Sequence, residues 1–371
     1  MAISSQALDV LRRLKECKNV LVSAPPACGK TRLIQEVADA FANPAAFITP
    51  PAATLSTATR VPIPARIPTG QGGNTTDYPS ATRYQRHVER IAFSANTKAR
   101  DFTSAFVPSV NGSGFRVASG VLVKANSAAL GGKAALLVID EMNRGPAVQL
   151  FGDAIVAIEA DKRLDVNDAL GTMSWPMQIL TEAGATEGVY LSSHLYILAA
   201  MNQADVSVEP MDLAFLRRFE PYRLMPDATY PRTLLGAAGP TAVLPDLPAT
   251  PGDVVEAVVR AWEYANSKIA LGRGEDFQIG HGVFLSDPTP PTTVADALGR
   301  AVTWWKQIVA HVREAFYSDL IGMGIALRAG DNPAGYRIMD TPYGLDQRQH
   351  LIEPPEGPNS IYATLKIVAS V

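Results

Sequence analysis

The sequence predicts an α/β fold: a five-stranded parallel sheet with helices on both faces, followed by a smaller helical domain. Three observations carry this. Short apolar runs recur near 19–23, 45–49, 134–140, 195–200 and 219–224, each of strand length and bounded by polar or turn-forming residues. Helix-spaced segments separate most of them, the alternation that a parallel sheet with covering helices requires. After about Met225 a Pro-, Ala- and Gly-rich linker (Pro226 to Pro251) leads into helical patterns. The expected division is 1–225 for the sheet domain, with an insertion over about 50–133, then 226–330 for the helical domain and 331–371 for a C-terminal tail.

At the N-terminus, Leu8, Leu11 and Leu14 among Arg12, Arg13 and Lys15 suit an amphipathic helix, and no signal-peptide core is present. The first strand, Asn19-Val20-Leu21-Val22-Ser23, runs into Ala24-Pro25-Pro26-Ala27-Cys28-Gly29-Lys30-Thr31. This fits the phosphate-loop pattern G-x-x-x-x-G-K-[ST] between a strand and a helix. Leu33, Val37 and Phe41 continue with helical spacing. In such a loop the backbone N–H groups and the positive end of the next helix cradle phosphate oxygens. Pro26, Ala27, Cys28, Gly29, Lys30, Thr31 and Arg32 are therefore the candidate nucleotide-binding residues. Lys30 is expected to neutralise the β and γ phosphates, and Thr31 to ligate Mg²⁺. Ala24 stands where the first glycine is expected and Ala27 is another non-glycine; alanine has less freedom at positive φ, so a stiffer loop or lower affinity is expected. Cys28 reads as a tolerated small residue, with a redox-sensitive position as the alternative.

The insertion opens with a loop rich in Pro, Thr, Ala and Gly over Ala52 to Tyr78. From Ala53 to Arg100 it carries seven basic residues (Arg60, Arg66, Arg83, Arg86, Arg90, Lys98, Arg100) against Asp77 and Glu89. A solvated loop is the favoured reading, with contact to nucleic acid or an acidic partner as the alternative. A β-hairpin is expected near Phe115 to Ala125, with Gly120 in its middle.

Next, Leu136-Leu137-Val138-Ile139 runs straight into Asp140-Glu141-Met142-Asn143-Arg144-Gly145. A fully apolar run reads as a strand buried on both faces, and its C-terminal tip is where open α/β sheets place ligands. Asp140 is placed to hold Mg²⁺ and Glu141 to polarise a water, a Walker B pattern. A single helix is expected from Pro146, with Val148, Phe151, Ile155 and Ile158 on one face. A further strand, ending at Met201-Asn202-Gln203-Ala204-Asp205, would lie beside the Walker B strand. Asn202 and Asp205 are placed there to orient an attacking water near the γ-phosphate. Nucleotide hydrolysis also needs a cation at the transferring phosphoryl group. Arg217 and Arg218, in Asp212-Leu213-Ala214-Phe215-Leu216-Arg217-Arg218-Phe219, are candidates that reach a neighbouring subunit's nucleotide.

In the helical region, Val294, Leu298, Val302, Trp305, Val309, Val312 and Phe316 mark one face of a helix over 294–321. Trp304 and Trp305 are read as core. The tail from Asp331 holds Gly, Pro and short β-prone pieces, and no internal repeat is found. The chain's 371 residues suffice for two domains. No apolar run approaches the roughly 20 residues of a membrane span, so no membrane partner is expected. Two cysteines, Cys17 and Cys28, form no disulfide framework and fit a reducing cytoplasm. A net charge of −3 supplies no global basis for binding nucleic acid.

Taken in order, these motifs resemble the AAA+ family of P-loop NTPases, and within it the McrB-type branch of the MoxR/McrB clade. The resemblance is carried by the Asp140–Gly145 turn, Phe151-Gly152, Ile158-Glu159-Ala160-Asp161-Lys162-Arg163, Met201–Asp205 as an MNxxD signature, and the paired arginines of Leu216–Phe219. Ala99-Arg100-Asp101-Phe102 to Pro108 is similar to the branch's YEDF…P segment, and Ile279-Gly280-His281-Gly282-Val283-Phe284 to its I-G-H-S-Y-F segment in the lid. The match runs from about residue 18 to about 325. Val206 departs from the arginine usual after the MNxxD signature. The resemblance implies a sheet domain with a helical lid, a homo-oligomeric ring, usually a hexamer, with nucleotide at subunit interfaces, and a McrC-like nuclease and activator subunit. It implies Mg²⁺ with ATP or GTP as substrate, the choice being open, and action on DNA through the complex. With the phosphate loop so near the start, target reading is expected to reside in a partner or in the insertion. The leading functional expectation is a motor subunit of a DNA-targeting restriction complex in antiviral defence. A MoxR-like chaperone ATPase and a nucleotide-dependent scaffold with little turnover are the alternatives.

Overall fold

The computed structural model describes residues 3–47, 78–109, 114–181, 184–202, 204, 211–344 and 346–370. Two compact units divide the chain: Met1–Ser23 with Lys30–Arg223, and Ala24–Gly29 with Leu224–Val371. The first begins with α1 (Ser5–Cys17), capped by Ser4, whose side chain accepts the Ala7 N–H. There follow β1 (Asn19–Ala24), α2 (Lys30–Ala42) and a single turn, α3 (Pro44–Phe47). Next come β2 (Arg86–Ala92), α4 (Ala99–Phe102), a hairpin of β3 (Ser104–Pro108) with β4 (Phe115–Ser119), and α5 (Val121–Leu130). After β5 (Ala134–Asp140) stand α6 (Ala147–Phe151), α7 (Ala154–Ala157) and a hairpin of β6 (Met177–Leu180) with β7 (Thr186–Val189). The unit closes with β8 (Leu195–Asn202), α8 (Leu213–Leu216) and β9 (Glu220–Arg223).

Five strands form one sheet in the order β2-β5-β8-β1-β9. The registers of β2 with β5, β5 with β8, and β1 with β9 are parallel. Alternate residues serve opposite faces. Ala135, Leu137, Ile139, Leu195, Ile197, Ala199 and Leu21 join Leu122, Ala125 and Ala129 of α5 in one core, together with Phe93, Phe102, Phe151, Phe215 and Phe219. On the other face, Leu136, Val138, Leu198, Val20 and Val22 are buried, with α1 and α2 against the sheet; Tyr196 meets Phe41 of α2 edge-on at 6.0 Å. The central strands read as continuous apolar runs because both of their faces are covered.

The expected strand at 45–49 is corrected. Pro44 starts a helical turn that runs to Phe47, and the two residues beyond lie outside the described ones. The fifth sheet strand is β2, from within the expected insertion. Its sequence, RHVERIA, hides it: β2 is an edge strand, half-buried at best, and charged residues are what an exposed edge favours. Three of the insertion's basic residues are committed here. Arg83 pairs with Asp168 at 2.5 Å, Arg86 donates to the carbonyls of Pro79 and Ser80, and Arg90 lies 3.5 Å from Asp39. Arg60 and Arg66 lie outside the described residues.

The hairpin expected near 115–125 is displaced: β4 pairs back with β3, and Gly120 starts α5. A Cβ on Gly120 would come 2.3 Å from the Phe102 carbonyl carbon, a backbone approach that only glycine permits. The single helix expected after Walker B is two short ones, broken at Gly152, whose φ is +47°.

The second unit contains α9 (Thr229–Leu235), α10 (Pro251–Gly272), α11 (Val294–Ala315), α12 (Leu320–Ala326), a hairpin of β10 (Arg337–Tyr343) with β11 (Asp346–Ile352), and α13 (Pro358–Ala369). Thr250 and Asp253 form a capping box at the start of α10. Trp262 of α10, Phe284 and Trp304 of α11 pack edge-on in the core, and Trp305 is buried with its Nε1–H donated to the Tyr336 hydroxyl at 2.9 Å, so both tryptophans of α11 are structural. Of the expected stripe, Trp305, Val309, Val312 and Phe316 are buried, while Val294, Leu298 and Val302 are only partly covered and Ala297, Ala301, Trp304 and Ile308 fill the core beside them. The helix stops at Ala315 rather than 321. Part of the linker is helix α9, from which Arg232 reaches the fully buried Glu256 at 3.0 Å; Arg260 reaches the same carboxylate at 2.8 Å. Residues 331–371 do not trail away: Ile361, Tyr362, Leu365 and Val368 of α13 enter the same core as α10 and α11. Among the described residues no helix is long and apolar enough to cross a membrane.

Candidate functional site

Parallel strands end on one edge, so the tips of β5 and β8 stand side by side, with Ile139 opposite Ala199. Asp140 closes β5, and its Oδ1 accepts the Glu141 N–H at 2.9 Å. Thr31, in the first turn of α2, and Asp140 line one cleft of about 240 Å³. Among the described residues no three acidic, His or Cys side chains converge as a complete protein cage for a metal. One hydroxyl and one carboxylate fit Mg²⁺, which keeps waters and takes few protein ligands beside substrate phosphates.

Glu141 is the strained residue of the site. Its φ of 50° and ψ of 45° are left-handed, a conformation that costs a non-glycine residue on the order of 1 kcal/mol or more. The turn aims its carboxylate between two cations: Lys30 Nζ lies 3.8 Å from Oε1 and Arg144 Nε 3.2 Å from Oε2. Lys30 and Glu141 are thus brought together from 111 residues apart, as the motifs require. Asn202 ends β8, where its backbone carbonyl accepts from Asn143 Nδ2 at 2.9 Å. Asn143 Oδ1 is buried without a hydrogen-bond partner among the described residues, an acceptor suited to a site water. The sequence by itself assigns no role to Asn143 or Arg144; their signal is their place in the Asp-Glu-Met-Asn-Arg-Gly turn. Asp205 and Val206 lie outside the described residues.

The loop residues Ala24–Gly29 group with the second unit. Positive φ occurs at Ala27 (+61°) and Gly29 (+82°), not at Ala24, which is the buried last residue of β1. The stiffening expected from alanine at position 24 therefore has no basis there; the conformational cost falls on Ala27. Pro26 and Ala27 accept backbone hydrogen bonds through their carbonyls, from Gly280 N–H at 2.8 Å and Gly282 N–H at 2.7 Å. Arg32 is exposed at the start of α2. Cys28 is buried, and desolvation pushes its thiol up to about 12. A thiol held protonated is a poor nucleophile, so the redox alternative loses its support. In the native protein at neutral pH a maleimide is expected to label the exposed Cys17 and leave Cys28 unmodified, as read by peptide mass mapping; equal labelling of both would contradict this burial.

The two arginines part company. Arg218 Nε lies 3.0 Å from Glu159 Oε1 and donates to the Ile155 carbonyl, and a further guanidinium nitrogen bonds the Ala214 carbonyl. Its own backbone carbonyl accepts from Asn19 Nδ2 at 3.0 Å. Arg217 is exposed. Both border a cleft of about 360 Å³ with Cys17, Asn19, Glu159 and Ala160. This cleft is at the N-terminal edge of the sheet, since β9 begins at Glu220, opposite Val20, whereas Lys30 follows the C-terminal end of β1. Val20 to Ala24 alone spans about 13 Å of strand. Neither arginine serves the Lys30 of its own chain.

The model of the AAA domain, dynein-related subfamily, matches residues 69–219. The type IV methyl-directed restriction enzyme EcoKMcrB subunit of Escherichia coli (strain K12) is 26% identical over 294 residues, covering 76% of this chain and 51% of that protein. The type II restriction enzyme BsuMI component YdiS of Bacillus subtilis (strain 168) is 34% identical over 85 residues, covering 23% of this chain and 25% of that protein. The chain spans about half the length of the first relative and a quarter of the second.

Proposed function

We propose that this chain, a member of the AAA+ family in its McrB-type branch, is the nucleotide-hydrolysing motor subunit of a restriction complex directed at DNA. The observation that carries the reading is the carboxylate of Glu141, held at the strand tips between Lys30 and Arg144 next to Asp140. In the proposed reaction the loop N–H groups and Lys30 bind the phosphates of ATP or GTP. Thr31 and Asp140 would hold Mg²⁺, which would supply charge neutralisation at the transferring phosphoryl group. Glu141 takes a proton from the attacking water, and Asn202 orients that water. Asp205, three residues beyond the end of β8 at Asn202, is proposed to share this task or to receive a partner's side chain.

The working assembly is a homo-oligomeric ring, most simply a hexamer, in the cytoplasm. Arg217 completes the neighbouring subunit's site. A McrC-like subunit supplies the nuclease and speeds turnover, and DNA is reached through that complex. Support comes from the restriction-enzyme names of both relatives and from the distance between the arginines and their own Lys30. Hydrolysis of ATP and of GTP by the purified chain, alone and with the product of the adjacent gene, tests this reading. Slow basal turnover that the neighbour accelerates is expected, with Asn202→Ala abolishing the acceleration. Fast basal turnover indifferent to the neighbour would favour the chaperone reading instead.

A further inference from the structure

A pocket lies wholly within the second unit, among residues that have no part in the proposed hydrolysis. One face of α11, from Val302 to Arg313, lines it together with Ile361 and Thr364 of α13 and the segment from Glu353 to Gly357 that joins β11 to α13. Its volume is about 270 Å³. At about 30 Å³ of liquid per water that is roughly nine waters, room for a one-ring molecule. Trp305, Val309, Tyr336 and Ile361 are buried and give it apolar walls. Ligand pockets combine such walls with a few placed polar groups.

Most of the polar side chains here are already spent. Lys306 Nζ lies 3.2 Å from Glu356 Oε2, and Arg313 pairs with Glu353, so two cations and two carboxylates cancel. Thr364 gives its hydroxyl hydrogen to the Ala334 carbonyl at 2.8 Å. Trp305 gives its indole N–H to the Tyr336 hydroxyl at 2.9 Å. Tyr336 is the exception. Having accepted from Trp305, it still has a hydrogen to donate, and no acceptor takes it among the described residues. The residue is 4% exposed, and burial pushes its phenol up to about 12, so the hydrogen stays in place at neutral pH. A buried donor without an acceptor is costly, and a bound molecule is one way to supply the missing partner.

We propose that this pocket binds a small uncharged ring compound carrying one hydrogen-bond acceptor, such as a ketone, an amide or a ring nitrogen, which takes the Tyr336 O–H. Trp305, Val309 and Ile361 supply the apolar contact for the ring. The ion pairs select against charge. An anionic ligand has to compete with Glu353 or Glu356 for its cation, and a cationic one with Lys306 or Arg313 for its carboxylate. The site is independent of the nucleotide reading, since none of these residues belongs to the phosphate loop or the strand tips.

Ligand-observed fluorine NMR titrations of the full chain with para-fluoroacetophenone, para-fluoroethylbenzene and para-fluorobenzoate test the assignment in wild type, Tyr336→Phe and Ala310→Trp. The probes share a ring and a similar size, and only the ketone offers an uncharged acceptor. In wild type the ketone is expected to bind about fivefold or more tightly than the ethyl compound, and the benzoate no better than the ethyl compound. Tyr336→Phe keeps the ring and removes the donor. It is expected to lower the ketone to the level of the ethyl compound, whose own retained binding shows that the pocket survives. Ala310 is exposed on α11 and lines the pocket, so Ala310→Trp is expected to weaken both probes by occlusion without touching the core. Equal binding of ketone and ethyl compound in wild type, or an unchanged ketone affinity in Tyr336→Phe, overturns the proposal. Tightest binding by the benzoate refutes the uncharged class. No saturable binding of any probe, or binding untouched by Ala310→Trp, refutes the pocket itself. If Tyr336→Phe does not fold, the wild-type ranking and Ala310→Trp decide alone.

Discussion

Glu141→Gln is expected to bind nucleotide at least as tightly as the wild-type chain and to hydrolyse it at least about 100-fold more slowly. The rate effect follows from losing the carboxylate that accepts the water's proton. The affinity effect follows from geometry: the Glu141 carboxylate lies 3.8 Å from Lys30 Nζ, so it competes with phosphate for that ammonium. Glutamine keeps the shape and the turn while removing the charge, which releases Lys30 to the ligand. Lys30→Ala is the reciprocal case and is expected to abolish binding, because the ammonium that neutralises the phosphates is then lost from the loop. Binding of fluorescent ATP and GTP analogues, measured beside phosphate release, separates the two effects. Normal turnover in Glu141→Gln would falsify the catalytic assignment; weaker binding in that variant would contradict the competition for Lys30.

Arg217→Ala is expected to reduce turnover by as much as about 10³-fold, the lower end of what an arginine supplied to a phosphoryl-transfer site contributes, with the fold intact. Arg218→Ala is expected to behave differently, lowering the urea midpoint by an amount equivalent to about 1–3 kcal/mol. The reason lies in their partners. Arg218 is largely covered and bound to Glu159 and to the Ile155 and Ala214 carbonyls, so its loss leaves a partly buried carboxylate uncompensated. Arg217 is exposed and at the wrong edge of the sheet to reach its own Lys30. If it acts on a neighbour, mixing Arg217→Ala with Lys30→Ala protein restores some hydrolysis, since some interfaces then unite an intact loop with an intact arginine. Mixed assemblies that form, as shown by differential tagging, yet stay inactive at every ratio would exclude action in trans.

How much of this was legible beforehand depended on burial. The strands β1, β5, β8 and β9 announced themselves as apolar runs, and three of them are interior to the sheet, where both faces demand such residues. The edge strand β2 did not, because an edge is half-solvated and tolerates Arg86, Glu89 and Arg90. The same limit misplaced the second strand at 45–49. Helix breaks were equally hidden: the periodicity of 146–158 is continuous, and only the positive φ of Gly152 splits it. Only the first half of the stripe on α11 is shifted, because small residues such as Ala297 and Ala301, which let helices approach closely, carry little hydrophobic signal, whereas Trp305, Val309 and Val312 are buried as their spacing predicts.

The sequence by itself determined the chemistry that sits in contiguous segments: a loop carrying Lys30 and Thr31, an acidic pair at a strand tip, and two adjacent arginines. Such segments are readable because their geometry is local; a strand end, a tight turn and a helix start follow from a few neighbouring residues. Only the tertiary structure decided which arginine is occupied and which is exposed, that Glu141 rests between Lys30 and Arg144, and that Asn143 braces the end of β8. Each of these rests on a contact or an exposure set by how distant segments pack, which local spacing along the chain does not encode.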